Sequence, residues 1–166
     1  MSEDPRRGAM LHLLCGRVAA GKSTLAARLA ATDRAIVIAE DTWLSRLYAG
    51  EITTVAAYVE RAARLRALMG PHVADLLRGG LSVVLDFPAN TPATRVWMRE
   101  IVERSGANHR MHVLDTPIEV CRARMHARNA AGAHEYAPTD AEFDHISSFF
   151  VPPGADEGFD IVIHRP

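Results

Sequence analysis

The stretch that most restricts this chain is Gly16-Arg17-Val18-Ala19-Ala20-Gly21-Lys22-Ser23. It lies between a short apolar run, Met10–Cys15, and a segment rich in helix formers, Gly21–Ala31. The spacing is G-x-x-x-x-G-K-[ST], a pattern that requires a strand before it and a helix after it. Gly16 and Gly21 let the main chain turn tightly with no Cβ in the way. The amides of Ala19, Ala20, Gly21, Lys22, Ser23 and Thr24 then open the helix as an anion-binding nest. Lys22 supplies a cation for the β- and γ-phosphates, Ser23 a hydroxyl for Mg²⁺, and Thr24 a further contact at the α-phosphate. ATP with Mg²⁺ is the expected ligand. The G-x-G-x-x-G pattern of dinucleotide sites is missing from this turn, which disfavours a nicotinamide enzyme.

Strand and helix signals alternate along the rest of the chain. Apolar or β-branched runs predict strands at Ala35–Ala39, Leu81–Leu85, Arg110–Leu114 and Phe159–Ile163. A short helix is expected over Thr42–Tyr48, and a long one over Thr54–Leu77, broken or kinked at Gly70-Pro71. Thr91-Pro92 opens a helix that Gly106 stops. Thr116-Pro117-Ile118-Glu119 and Thr139-Asp140-Ala141-Glu142 both read as capping boxes, starting helices to about Asn129 and Phe150. Strands alternating with helices imply an α/β protein: a parallel sheet covered on both faces. Residues 1–9 read as a polar tail, and residues 10–166 as one domain without internal repeats.

Composition narrows the function classes. The 19 basic and 20 acidic residues leave a formal net charge of −1, which argues against a long nucleic-acid groove. Cys15 and Cys121 fall in apolar segments outside any C-x-x-C pair and read as reduced core thiols. The eight histidines form no H-x-x-x-H pair near other ligands and read as surface or satisfied residues. No run has the length or apolarity of a membrane span or signal peptide, so a cytoplasmic location is expected.

Carboxylates cluster where strands should end. Glu40 and Asp41 follow the second strand and Asp86 follows the third; in an open α/β sheet, the strands' carboxyl ends line the ligand crevice. Phosphoryl transfer to a hydroxyl needs one carboxylate to take or orient its proton, and often another on the metal. Asp41, with Trp43 nearby to wall a pocket, is the candidate base; Asp86 is the candidate magnesium-side group, and the two roles are exchangeable. Glu40 receives no role. Plain readings compete: Asp41 as a helix cap, and Asp86 as a turn residue before Pro88. Arg124 and Arg128, four apart on one helical face, suit charge on a transferring phosphoryl group, with Ile118, Cys121 and Met125 as the docking stripe. The competing reading there is a solvated basic face. Asn129–Pro138 reads as a lid loop.

Taken in order, these motifs resemble the small P-loop kinases related to zeta toxins, chloramphenicol phosphotransferase and the polynucleotide 5′-hydroxyl kinase domain. The resemblance rests on Gly16–Thr24, Glu40-Asp41-x-Trp43, Leu85-Asp86, Asp115-x-Pro117 and Arg124-x-x-x-Arg128-Asn129. It runs from Leu11 to Ile163 and takes in Phe149-Phe150-Val151-Pro152-Pro153 ahead of Glu157. It implies a three-layer P-loop NTPase fold with strand order 2-3-1-4-5 and Lys22 and Ser23 on ATP-Mg. It also implies Asp41 as the acceptor-side base and Arg124 and Arg128 in the lid. The leading expectation is a phosphotransferase moving the γ-phosphoryl of ATP to a small hydroxylated molecule. A regulatory ATPase without an acceptor and a nucleic-acid 5′-kinase are the alternatives.

Overall fold

A computed structural model of the chain describes residues 8–132 and 137–166. Five parallel strands form one sheet in the order β2-β3-β1-β4-β5: β1 Met10–Cys15, β2 Ile36–Ala39, β3 Val83–Pro88, β4 Asn108–Leu114 and β5 Ile161–His164. The expected order is the observed one. Alternate residues of the central strand serve different layers, because successive side chains of a strand point to opposite faces. Leu11, Leu13 and Cys15 join Val83, Leu85 and Phe87 beneath helices α3 (Val55–Arg78) and α4 (Pro92–Ser105). Leu14, Val84 and Leu114 face α1 (Lys22–Asp33), α5 (Ile118–Ala131) and α6 (Asp140–Ser148). Both cysteines are buried and free, and burial pushes the Cys15 thiol up to about 11.

The break expected at Gly70-Pro71 and the capping box expected at Thr116 do not form. Gly70-Pro71 does not break the long helix, which runs uninterrupted over Val55–Arg78. Buried residues lie on both sides of the proline, Ala62, Leu65 and Met69 before it and Val73, Ala74 and Leu77 after it. Burial of so many apolar side chains outweighs the roughly 3 kcal/mol cost of a proline in a helix. Gly70 serves packing: a Cβ there would lie 3.0 Å from Trp97 Nε1, which donates to the Arg66 carbonyl at 3.2 Å. Thr116 does not cap α5. The cap is Pro117, without a side-chain bond, because the Thr116 hydroxyl is spent on the Ala20 carbonyl, 3.2 Å away. At Thr139 the capping box forms as expected, with Glu142 reciprocating.

Three histidines meet across the sheet. His12, His112 and His164 point to the α1/α5 side from β1, β4 and β5. Nδ1 of His12 lies 3.0 Å from Nε2 of His112, and Nδ1 of His112 lies 2.9 Å from Nε2 of His164. Asp33, at the end of α1, sits 2.8 Å from His12 Nε2. One proton per contact satisfies the row with all three rings neutral. Burial lowers the pKa of each ring, His112 to about 4.

Candidate functional site

The phosphate loop spans residues 16–21 at the carboxyl end of the buried strand β1. Gly21 adopts φ 105° and caps α1 without any side-chain bond, and the first turn of α1 holds no acidic residue. Among the described residues its first amides therefore have no side chain as acceptor, and they present the positive end of the helix dipole. Ala19 also takes a left-handed φ of 60°, a conformation that strains a side chain with a Cβ. The loop is braced from three sides. Asn90 Oδ1 accepts from the Gly16 amide at 2.9 Å, while its Nδ2 donates to the Gly16 carbonyl at 2.8 Å. Thr116 and Arg124 both donate to the Ala20 carbonyl, Arg124 at 3.3 Å. Lys22 Nζ folds over the loop, donating to the carbonyls of Gly16 and Arg17 at 2.7 Å each. Burial lowers the Lys22 pKa and the nearby Asp86 works against that shift.

The structure brings Lys22, Ser23 and Asp86 together. Ser23 Oγ donates to Asp86 Oδ2 at 3.1 Å. Asp86 is not a turn residue: it belongs to β3, in register with Ala39 of β2. Its pKa is raised by burial, drawn back by the Ser23 hydroxyl and the Lys22 cation, and raised again by Asp41. Asp41 is not a helix cap either. Helix α2 (Glu40–Leu47) starts a residue or two before the expected helix, with Ala39 as its cap, so Asp41 stands exposed in the first turn. From there its charge is felt at both Lys22 and Asp86. Trp43, on the same turn, is exposed. Thr24 is exposed in the first turn of α1.

On α5, Cys121 and Met125 are buried, and Ile118 packs against the same cluster, as the stripe predicts. Arg124 reaches the loop. Arg128, one turn further on, has a buried Nε without a hydrogen-bond partner among the described residues. The solvated-face reading fits Arg122 instead, which donates to Asp140 and Asp144 of α6 and lies over the Phe143 ring. Of the expected lid loop, residues 133–136 lie outside the described residues, as do residues 1–7 of the N-terminal tail.

Four positioning elements escape a reading of the sequence. Asn90 grips the first glycine of the loop, and its own carbonyl accepts from the Val151 amide at 2.9 Å. Arg95, only 1 % exposed, donates to the carbonyls of Ala89 and Val151 and pairs with Glu157. It thereby ties residues 149–157 over the carboxyl ends of the strands. Thr116 braces Ala20, as above. Glu40, 1 % exposed, accepts from Tyr58 at 3.0 Å and Arg66 at 2.9 Å, fixing α2 to α3 directly behind Asp41. Burial raises the Glu40 pKa, and Arg66 and Tyr58 oppose the rise. The one available signal was polar residues inside apolar helical stripes, as with Arg95.

A parallel sheet of this order, with a glycine-bounded, lysine-containing loop leading from its central strand into a helix, defines the P-loop NTPase fold. Within that class the chain belongs to the AAA_33 family, an AAA domain matched over residues 11–153. Solved structures share the fold at low identity. A kinase candidate from Chloroflexus aurantiacus J-10-fl has a TM-score of 0.76 at 18% identity, covering 96% of this chain and 86% of its own. The Mycobacterium tuberculosis APS kinase CysC, in complex with AMPPNP and APS, gives 0.65 at 20% identity, over 95% and 88%. Chaetomium thermophilum Kti12, in complex with ADP-AlF3, gives 0.67 at 16% identity, over 93% and 88%. No curated protein matches the chain.

Proposed function

We propose that the chain is an ATP-dependent phosphotransferase that moves the γ-phosphoryl group to a hydroxyl of a small molecule. One observation carries the reading. A phosphate loop with unclaimed first-turn amides converges with Lys22, Ser23 and Asp86, while an exposed carboxylate, Asp41, stands within electrostatic range. The amides of residues 19–24 bind the phosphate tail, with Ala20 giving up its bond to the Arg17 carbonyl, and Lys22 exchanges its two carbonyl partners for phosphate oxygens. The Ser23 hydroxyl and the Asp86 carboxylate, side by side, are a hard-oxygen pair that fits Mg²⁺, which takes few protein ligands and fills the rest with water and phosphate. When bound, that ion would neutralise charge on the β- and γ-oxygens.

Asp41 orients the acceptor hydroxyl and takes its proton, and Glu40 keeps the turn that carries it fixed. Arg124 and Arg128 supply positive charge to the transferring group from the α5 side. The neighbours solved with AMPPNP and with ADP-AlF3 support nucleotide binding, and the APS kinase supports a small acceptor. The test is turnover of ATP and Mg²⁺ against a panel of hydroxylated sugars, sugar acids, nucleosides and antibiotics. Acceptor-dependent ADP release with a phosphorylated product is expected. ADP release indifferent to every acceptor would mark a regulatory ATPase instead.

A further inference from the structure

We propose that Arg17 anchors an anionic group of the acceptor, so that the favoured acceptors are hydroxylated carboxylates or phosphate esters, not neutral polyols. The proposal rests on the phosphotransferase reading for the word acceptor; the anion site itself stands on separate observations.

Arg17 is the first variable residue of the phosphate loop. Its main chain is committed to the loop, since its carbonyl accepts from Lys22 and from the Ala20 amide. Its side chain is not. The guanidinium carbon stacks 4.3 Å from the centre of the Phe150 ring. Phe150 packs against the core on the α3/α4 side. It belongs to the segment that Arg95, Glu157 and Asn90 hold down, through the Val151 amide and carbonyl. The ring is therefore a fixed platform that holds the guanidinium in place.

Topology says which side this is. In the order β2-β3-β1-β4-β5, the strands that carry Asp86 and lead into Asp41 lie on one side of β1, and β4, which leads into the Arg124 helix, lies on the other. Phe150 is tied to the chain leaving β3 through Asn90. Arg17 and its platform are thus tied to the β3 side of the loop through Asn90, while its charge also reaches Cys121 of α5.

Charge accounting divides the arginines. Arg61 pairs with Glu51 and Glu60, Arg66 with Glu40, Arg95 with Glu157, and Arg122 with Asp140 and Asp144. Among the described residues Arg17, like Arg124 and Arg128, has no carboxylate within 4.0 Å, and its Nε, like those of Arg61, Arg66 and Arg128, is buried without a hydrogen-bond partner. A buried donor left unmade is costly, and a planar fork held by stacking matches a carboxylate or phosphate edge. An anionic acceptor entering a crevice that holds Asp41 and Asp86 needs a cation beyond Lys22, which the phosphate tail claims, and Arg17 supplies one.

The experiment uses the full chain saturated with AMPPNP and Mg²⁺, titrated calorimetrically with matched compounds. These are glycerol, glycerate and glycerol 3-phosphate, then glucose, gluconate and glucose 6-phosphate. At least one anion is expected to bind tenfold or more tightly than its neutral partner, and the carboxylate and phosphate arms show which anion is preferred. Arg17→Met should abolish that preference, Arg17→Lys should keep part of it, and Phe150→Leu should weaken it several-fold by loosening the platform. The proposal is overturned if neutral compounds bind as well as anions, if no anion binds, or if Arg17→Met binds them like the wild type. It is equally overturned if Arg17→Met loses AMPPNP affinity in place of anion affinity. Anion binding that depends on Arg17 without phosphoryl transfer from ATP would sink the phosphotransferase reading alone. Transfer to a neutral compound, indifferent to Arg17, would sink the anion anchor alone.

Discussion

Replacing Arg95 by methionine keeps most of the side-chain volume and removes the charge and every donor that holds residues 149–157. The guanidinium is 1 % exposed, donates to the Ala89 carbonyl at 3.0 Å and the Val151 carbonyl at 2.7 Å, and pairs with both oxygens of Glu157, one at 2.9 Å. Removing one partner of a buried pair costs about 3–5 kcal/mol, mostly because the remaining charge is stranded. Glu157 is 26% exposed and regains water, so the lower end applies, about 3 kcal/mol. For a chain of this size, each 1 kcal/mol lowers Tm by roughly 2–4 °C, giving a drop of about 6–12 °C. Thermal unfolding followed by circular dichroism measures it, and a double-mutant cycle with Glu157→Gln isolates the pair. Because Val151 and Gly16 both bond to Asn90, weakened AMPPNP binding below the melting range is expected as well. A variant within about 1 kcal/mol of the wild type, or strictly additive with Glu157→Gln, would refute the reasoning.

Asp41→Asn should lower turnover by about 10²–10⁴-fold, the usual contribution of general acid–base catalysis, while calorimetry shows nucleotide affinity unchanged. A matching loss of nucleotide affinity would move Asp41 out of the acceptor role. The histidine row should make the fold acid-labile. The folded pKa values lie below the unfolded value of about 6.5, so the unfolded chain binds the extra protons. This stability is complete above about pH 6.5 and is lost as pH falls toward about 4, the folded value of His112. Urea midpoints across that range should fall steeply for the wild type and more gently for His112→Leu. Equal slopes would contradict the assignment.

The parts of the fold legible in the sequence were those written locally. The phosphate loop, the strand–helix alternation and the Thr139 capping box are short-range patterns, and the structure follows each. Thr116 carried the same capping pattern, but the Ala20 carbonyl, far away in sequence, claimed its hydroxyl. Gly70-Pro71 carried a breaker signal that burial on both sides overrode. The histidine row was invisible because it needs the register of three strands at once. Asn90 and Glu40 were passed over for a related reason: each acts on a partner that only the folded sheet brings near, Gly16 and Arg66 respectively. Spacing puts Arg124 and Arg128 on one face but leaves a solvated basic face as the competing reading, and only the folded loop shows Arg124 reaching the Ala20 carbonyl.

The account as a whole stands on the grip of the loop on a triphosphate, and Lys22 is where that grip is tested most directly. Calorimetric titration of the wild type with ATP should show magnesium-dependent binding. Lys22→Ala should abolish it or weaken it at least tenfold, with the thermal unfolding transition retained. No uptake of nucleotide by the wild type, or equal uptake by the Lys22 variant, would contradict the account.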